Sequence, residues 1–263
     1  MIMLGRSLAV LAAACLWAAP APAQTDGFGG QCLAAPHDAP ATARQQEVAE
    51  LVDSLRPALA RFESLARVLA EGAPEICLVD ALLDAQGYLG VEENRIVLRA
   101  ALAPPMRQAV LVHELRHLHQ ARSGACPGPA LSMAETARAT LALEADATAV
   151  TLHVAWALRA EGAPAVWDAL SAWPGQEDIA AAFAAEMAET GDPARAAARA
   201  FAQWYVSDRR RETYRIAACA EYLDRQERSH ALPSYGDLPE GYLAALCVLP
   251  DGRAYPCTPP APE

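Results

Sequence analysis

Val112-His113-Glu114-Leu115-Arg116-His117 is the stretch around which the chain is organised. It reads H-E-x-x-H, and the apolar run Ala109-Val110-Leu111 leads into it, as expected of a helix. On an α-helix, residues four apart lie about 40° apart around the axis and roughly 6 Å along it. His113 and His117 therefore point the same way and can share one metal ion. Glu114 is turned about 100° from His113, yet it can still reach a water held by that metal. Two imidazoles for Zn²⁺ and a carboxylate as general base are the parts of metal-assisted hydrolysis.

Outward from this stretch, a small sheet is expected before the helix and more helices after it. Glu75 to Asp80 reads as a short buried strand. Tyr88-Leu89-Gly90-Val91 and Arg95-Ile96-Val97-Leu98, separated by Glu92-Glu93-Asn94, read as a hairpin. A strand beside such a helix offers an edge to which extended peptide can add. Further upstream, Val48, Leu51, Val52, Leu55, Leu59, Phe62, Leu65 and Leu69 recur at helical steps, with Pro57 set to break or kink the run. Pro104-Pro105 precedes the motif helix, which is expected to start near Met106 and end around Arg122-Ser123-Gly124. A second long helix is expected from about Leu131 to Glu161. Pro164 to Trp173, Gln176 to Thr190 and Pro193 to about Arg228 read as further helices. From Leu232 onward Pro and Gly recur at short intervals, which reads as a tail over the surface.

The chain has 263 residues, 53% of them hydrophobic, and a net charge of −11. All its basic residues are Arg or His, since Lys is absent. The charge argues against nucleic acid and against an anionic membrane as partners. Met1 to Arg6, the apolar run Leu8 to Ala19 and Ala21-Pro22-Ala23 form the pattern of a cleavable signal peptide, cut before Gln24. No later segment reads as long and apolar enough to cross a membrane. The expected organisation is a signal peptide over 1–23, an irregular arm over 24–40, the main domain over 41–231 and a Pro-rich tail over 232–263, in a periplasmic or secreted protein. Export leaves Cys32, Cys77, Cys126, Cys219, Cys247 and Cys257, enough for up to three disulfides, with Cys247 and Cys257 the natural local pair.

A catalytic zinc takes three protein ligands and keeps a water, so the two histidines need one more. The long helix that follows offers Glu135, Glu144 and Asp146. Glu135 and Glu144 are about 180° apart around that helix, and Glu144 and Asp146 about 160°, so Glu144 cannot share the metal with either of the others. Among the other polar residues, His119 is expected at the surface or behind the ligands, His153 in a structural role and Arg116 in a salt bridge. Tyr205, Tyr214 and Tyr222 are the phenols available to an oxyanion. Arg209-Arg210-Arg211 reads as a solvated helix face.

Leu143-Glu144-Ala145-Asp146-Ala147 resembles the Glu-Ala-Asp segment of gluzincin-type metallopeptidases. In several of those families the ligand glutamate stands four residues before the aspartate, a place held here by Ala142. Signal peptide, small sheet, H-E-x-x-H and this segment together resemble an uncharacterised bacterial family of metallopeptidase type. The resemblance spans roughly Ile76 to Leu158. It implies an α+β, predominantly helical protein with a zincin-like core, Zn²⁺ on His113, His117 and Glu144, Glu114 as general base, and a peptide or protein substrate. The alternative is a helical periplasmic binding or scaffold protein whose metal site is structural or vestigial.

Overall fold

A computed structural model describes residues 30–82 and 85–259. The expected signal peptide, and the arm before residue 30, lie outside them. The architecture is α+β and mostly helical, with one mixed four-stranded sheet. Strands β1 (Cys32–Leu33), β2 (Glu75–Val79), β3 (Gly87–Gly90) and β4 (Arg95–Arg99) lie in the order β1-β2-β4-β3. β4 returns from its hairpin with β3 to pair in parallel with β2, and β1 adds antiparallel at the other side. The β2 strand and the hairpin form where the β-branched and aromatic runs predict them.

Alternation along the strands gives the sheet two unequal faces. Ile76, Leu78, Leu89, Ile96 and Leu98 face the main core, which is built on the helices. Cys77, Val79 and Val97 face the other side, where Cys32, Leu82 and Tyr88 cover them. A disulfide from Cys32 to Cys77 fastens β1 to that side. The described part of the arm is therefore tied down through Cys32.

Helix α1 (Ala43–Leu59) is capped by Thr42, whose side chain accepts from the Gln45 amide, and α2 (Glu63–Ala70) follows. Pro57 sits in the last turn of α1, where it removes the amide that would bond back to Asp53 O, and the helix ends two residues later. Helix α3 (Pro104–Arg122) carries the H-E-x-x-H motif and begins at Pro104, two residues earlier than expected. Proline is at home there, since the first helical amides have no intrahelical acceptor. The sheet lies close on α3. A Cβ at Gly87 would stand 2.6 Å from Val110 Cγ1, so only glycine lets β3 approach the motif helix at this point.

Helix α4 (Met133–Ala160) runs back alongside α3. Contrary to the expectation that no segment after the signal peptide is long and apolar enough for a membrane, α4 meets that test by length and composition. Its apolar window is 78% buried inside the protein, so its hydrophobicity serves as core. Helices α5 (Ala165–Ser171), α6 (Glu177–Thr190), α7 (Pro193–Trp204) and α8 (Asp208–Ser229) pack around it.

The run from Pro193 to Arg228 is two helices. No glycine or proline marks the break; Ser207 does, accepting from the Arg210 amide as an N-cap. Arg210 and Arg211 donate to the carbonyls of Trp204 and Tyr205 at the end of α7, and Arg210 also pairs with Asp178 at 2.7 Å. These arginines thus lock the α7–α8 corner, where a solvated face was expected. The segment after 232 is likewise folded in. It forms α9 (Tyr242–Leu246), closes a Cys247–Cys257 disulfide as its spacing suggests, and buries Leu246, Leu249 and Tyr255.

Candidate metal centre

Three side chains meet where α3 crosses α4. His113 and His117 present Nε2 atoms 3.0 Å apart, and Glu144 places Oε2 3.5 Å from the first and Oε1 3.4 Å from the second. Two ring nitrogens and a carboxylate thus converge, with one ligand atom from each residue within 4.8 Å of the others. Donor atoms 2.0–2.2 Å from one tetrahedral zinc stand roughly 3.3–3.6 Å apart, so each histidine stands from the nearer Glu144 oxygen at the spacing that such an ion requires. All three residues are at most 2% exposed.

Electrostatics agree with a site for a cation. Burial lowers the pKa of His113 to about 4 against the opposing pull of Asp146. Burial lowers that of His117 to about 4 as well, opposed by Glu144 and helped by His113. Both imidazoles are therefore neutral at pH 7 and offer lone pairs. Glu114 is fully buried, and neither of its carboxylate oxygens has a hydrogen-bond partner among the described residues. Burial, and then the neighbouring charge of Glu144, push its pKa well up. A buried, unpartnered acid beside a second acid is costly unless positive charge enters the site.

Gln120, one turn beyond His117, fixes which nitrogen of that ring faces the site. Its Nε2 donates to Leu143 O at 3.0 Å and to Asp146 Oδ2 at 2.7 Å. Its Oε1 therefore accepts from His117 Nδ1, 2.7 Å away, which leaves the Nε2 lone pair free. Asp146 is in turn held by Arg116 through Nε at 2.6 Å and Nη2 at 3.0 Å, and by the Tyr255 hydroxyl at 2.6 Å. Arg116 is 1% exposed and also donates to Leu246 O. The expected salt bridge of Arg116 is thus a buried clamp, and Asp146 stands behind the ligands.

Glu135 is away from the site. It lies in the first turn of α4, pairs with Arg138 and accepts from the Leu238 amide. His119 meets Arg116 Nη1 through Nδ1, also behind the ligands. His153 packs edge-on against Phe62, 5.4 Å between ring centroids. Of the three tyrosines, only Tyr214 on α8 reaches the centre, with its hydroxyl engaging Glu144. Tyr222 serves the Ser234 backbone, and Tyr205 is packed between Phe201 and Trp204.

Gln120 and Tyr255 are functional neighbours that the sequence did not reveal. Gln120 carried a usable signal, three residues past His117 on the same side of the helix. Tyr255, 109 positions from Asp146, carried none.

No curated protein and no solved structure matches the chain. One family model does, over residues 20–257, which is nearly the whole sequence and includes every residue of the site. The chain belongs to the family described as "Putative metallopeptidase family (DUF6782)".

Proposed function

We propose that the protein is an exported zinc-dependent peptidase with a zincin-like core, in which His113, His117 and Glu144 hold the ion and Glu114 is the general base. The observation that carries this reading is the buried meeting of two imidazoles and a carboxylate, with contacts of 3.0–3.5 Å, and an unpartnered carboxylate beside it. Three protein ligands leave one position of a tetrahedral ion for water or substrate, whereas structural zinc takes four. Zinc there would polarise a carbonyl and bring the pKa of a water towards neutrality.

The chain's own residues supply the rest. Gln120 and the Asp146–Arg116 clamp hold His117 in one tautomer and one orientation. Tyr214 holds Glu144. Glu114 takes the proton of the attacking water and delivers it to the leaving amine nitrogen. Its oxygens have no partner among the described residues, which leaves them free for both transfers. The outer edge of β3 carries no strand among the described residues, and an extended peptide can pair there beside α3. Two disulfides among the described residues support an oxidising, extracytoplasmic location.

The test is metal analysis and hydrolysis of a peptide pool by the wild type and by Glu114→Gln. About one zinc per chain is expected in both. Turnover is expected in the wild type only, with a loss of at least about 10²-fold in the variant. A fully active variant rejects Glu114 as base. Zinc without any turnover by the wild type favours the scaffold alternative.

A further inference from the structure

Exposed apolar side chains are distributed unevenly over the surface. Six large hydrophobic residues stand exposed among the described residues, and five of them, Val206, Ile216, Leu223, Leu232 and Tyr235, lie on α8 or beside its ends. Single apolar residues scattered over a surface need no explanation, but their concentration on one element does. Ile216 and Leu223, each 58% exposed, are seven positions apart, which sets them within about 20° of each other around the helix. Cys219, a free thiol, and Ala220 lie between them and complete a stripe about 100° wide. Tyr214, Ala218 and Tyr222 are buried on the other side of the helix, where α8 packs on α4 and reaches Glu144. The stripe therefore faces away from the protein's own core.

The surface that this stripe matches is the stripe itself. Two copies of α8 related by a two-fold axis across the stripe run antiparallel. With the axis beside Cys219 and Ala220, midway between Ile216 and Leu223, Ile216 of each copy stands over the partner's Leu223. The same axis brings the end that carries Val206 to the end of the partner helix that carries Leu232.

The charges select this direction. Asp208 pairs with Arg211, Glu212 with Arg215 and Glu221 with Arg228 inside the helix. Arg209 near the N-terminus of α8, and Asp224 and Glu227 near its C-terminus, are exposed and have no ion-pair partner among the described residues. Arg209 and Glu227 are about five full turns apart, so they look the same way, beside Ile216. In the antiparallel pair, Arg209 of each copy comes within about one turn of the partner's Glu227. A parallel pair would set Arg209 against the partner's Arg209, and Glu227 against the partner's Glu227.

We infer that the outer face of α8 is a dimer interface, and that a second copy of this chain docks on it antiparallel. A single helix pair with its flanks is a small interface, so a dissociation constant on the order of micromolar is expected. The inference is independent of the peptidase reading.

Sedimentation of the mature chain between about 1 and 100 µM tests it, with the mass expected to rise from one chain to two. Ile216→Glu and Leu223→Glu alter exposed side chains, so circular dichroism should be unchanged, and each should weaken the dimer at least about tenfold. Arg209→Glu should weaken it too, and adding Glu227→Arg to that variant should restore it. A short bis-maleimide, whose two arms each alkylate one thiol, should join Cys219 to Cys219 of the partner subunit in the wild type. The Leu223→Glu and Cys219→Ser variants should not be joined at the same concentration. A monomer throughout the range overturns the inference and leaves the stripe to a different partner. A dimer that tolerates both glutamates overturns it as well, because the contact is then elsewhere. Failure of the double charge exchange to restore association rejects the antiparallel arrangement.

Discussion

Gln120 is the residue on which the state of His117 depends. Because its amide donates twice, to Leu143 O and Asp146 Oδ2, its oxygen can only accept, and the His117 proton is confined to Nδ1. Gln120→Leu removes the acceptor at similar volume. The expected result is a roughly 10- to 100-fold loss of metal affinity in a competitive chelator titration, with the circular dichroism spectrum unchanged. Unchanged affinity would remove Gln120 from the site. His153 gives a prediction of a different kind. Burial first, with Arg253 and Arg61 adding and Asp251 opposing, lowers its pKa from 6.5 to about 4, and its Nε2 has no partner among the described residues. The unfolded chain takes up this proton more readily than the folded one, so the neutral-state advantage is whole above pH 6.5 and is lost as the pH falls towards 4. The upper figure for the loss is roughly 3 kcal/mol. His153→Leu should therefore flatten the pH dependence of urea stability between pH 6.5 and 4, measured against the wild type. Parallel curves would mean that His153 is not buried as a neutral ring. At this scale the sequence was generous where chemistry repeats at fixed spacing, as for His113, Glu114 and His117. It was silent on Tyr255, because nothing in a linear pattern ties that phenol to an aspartate 109 residues away.

The elements were legible in proportion to their periodicity. The apolar alternation of β2 and β4 and the helical steps around the motif helix were strong signals, since each repeats a burial pattern that the packed sheet and α3 enforce. The α7–α8 corner shows the opposite case. Pro193 to Ser229 has no glycine and no proline after its first residue, so no strong breaker marks the corner, only the weak helix formers Trp204 to Asp208. What breaks it is a side-chain oxygen at Ser207 together with two arginines that donate back to the α7 carbonyls. That local competition leaves no mark in hydrophobic periodicity. The corner matters because α8 presents Tyr214 to Glu144. Ser207→Ala should cost about 1 kcal/mol of global stability, read as a shift in urea midpoint. It should also weaken metal binding, since the cap sets the direction in which α8 leaves the corner. A stability loss with metal affinity intact would show that Tyr214 is positioned by its packing against Trp204, 5.3 Å away between centroids, and not by the cap.

At the scale of the whole fold, the disulfides Cys32–Cys77 and Cys247–Cys257 fasten opposite flanks, and of these two only the second touches the site's support. Cys32–Cys77 joins β1 to β2 on the sheet face away from the helices and closes a span of 45 residues. Cys247–Cys257 closes a span of 10, but inside it lies Tyr255, whose hydroxyl holds Asp146, and just before it lies Leu246, whose carbonyl holds Arg116. On the chain-entropy scale the longer span contributes about 4 kcal/mol and the shorter about 2.7 kcal/mol. The rankings for stability and for metal binding should therefore cross. Replacing Cys32 and Cys77 by serine should lower the thermal midpoint more. Replacing Cys247 and Cys257 should lower metal affinity more, because the clamp on Asp146 loosens and Gln120 loses the partner that aims it at His117. Thermal unfolding of the metal-free proteins and chelator competition on the loaded ones measure the two quantities separately. If one pair dominates both measurements, the C-terminal loop is a general staple and the route from Tyr255 through Asp146 and Gln120 to His117 carries no binding energy.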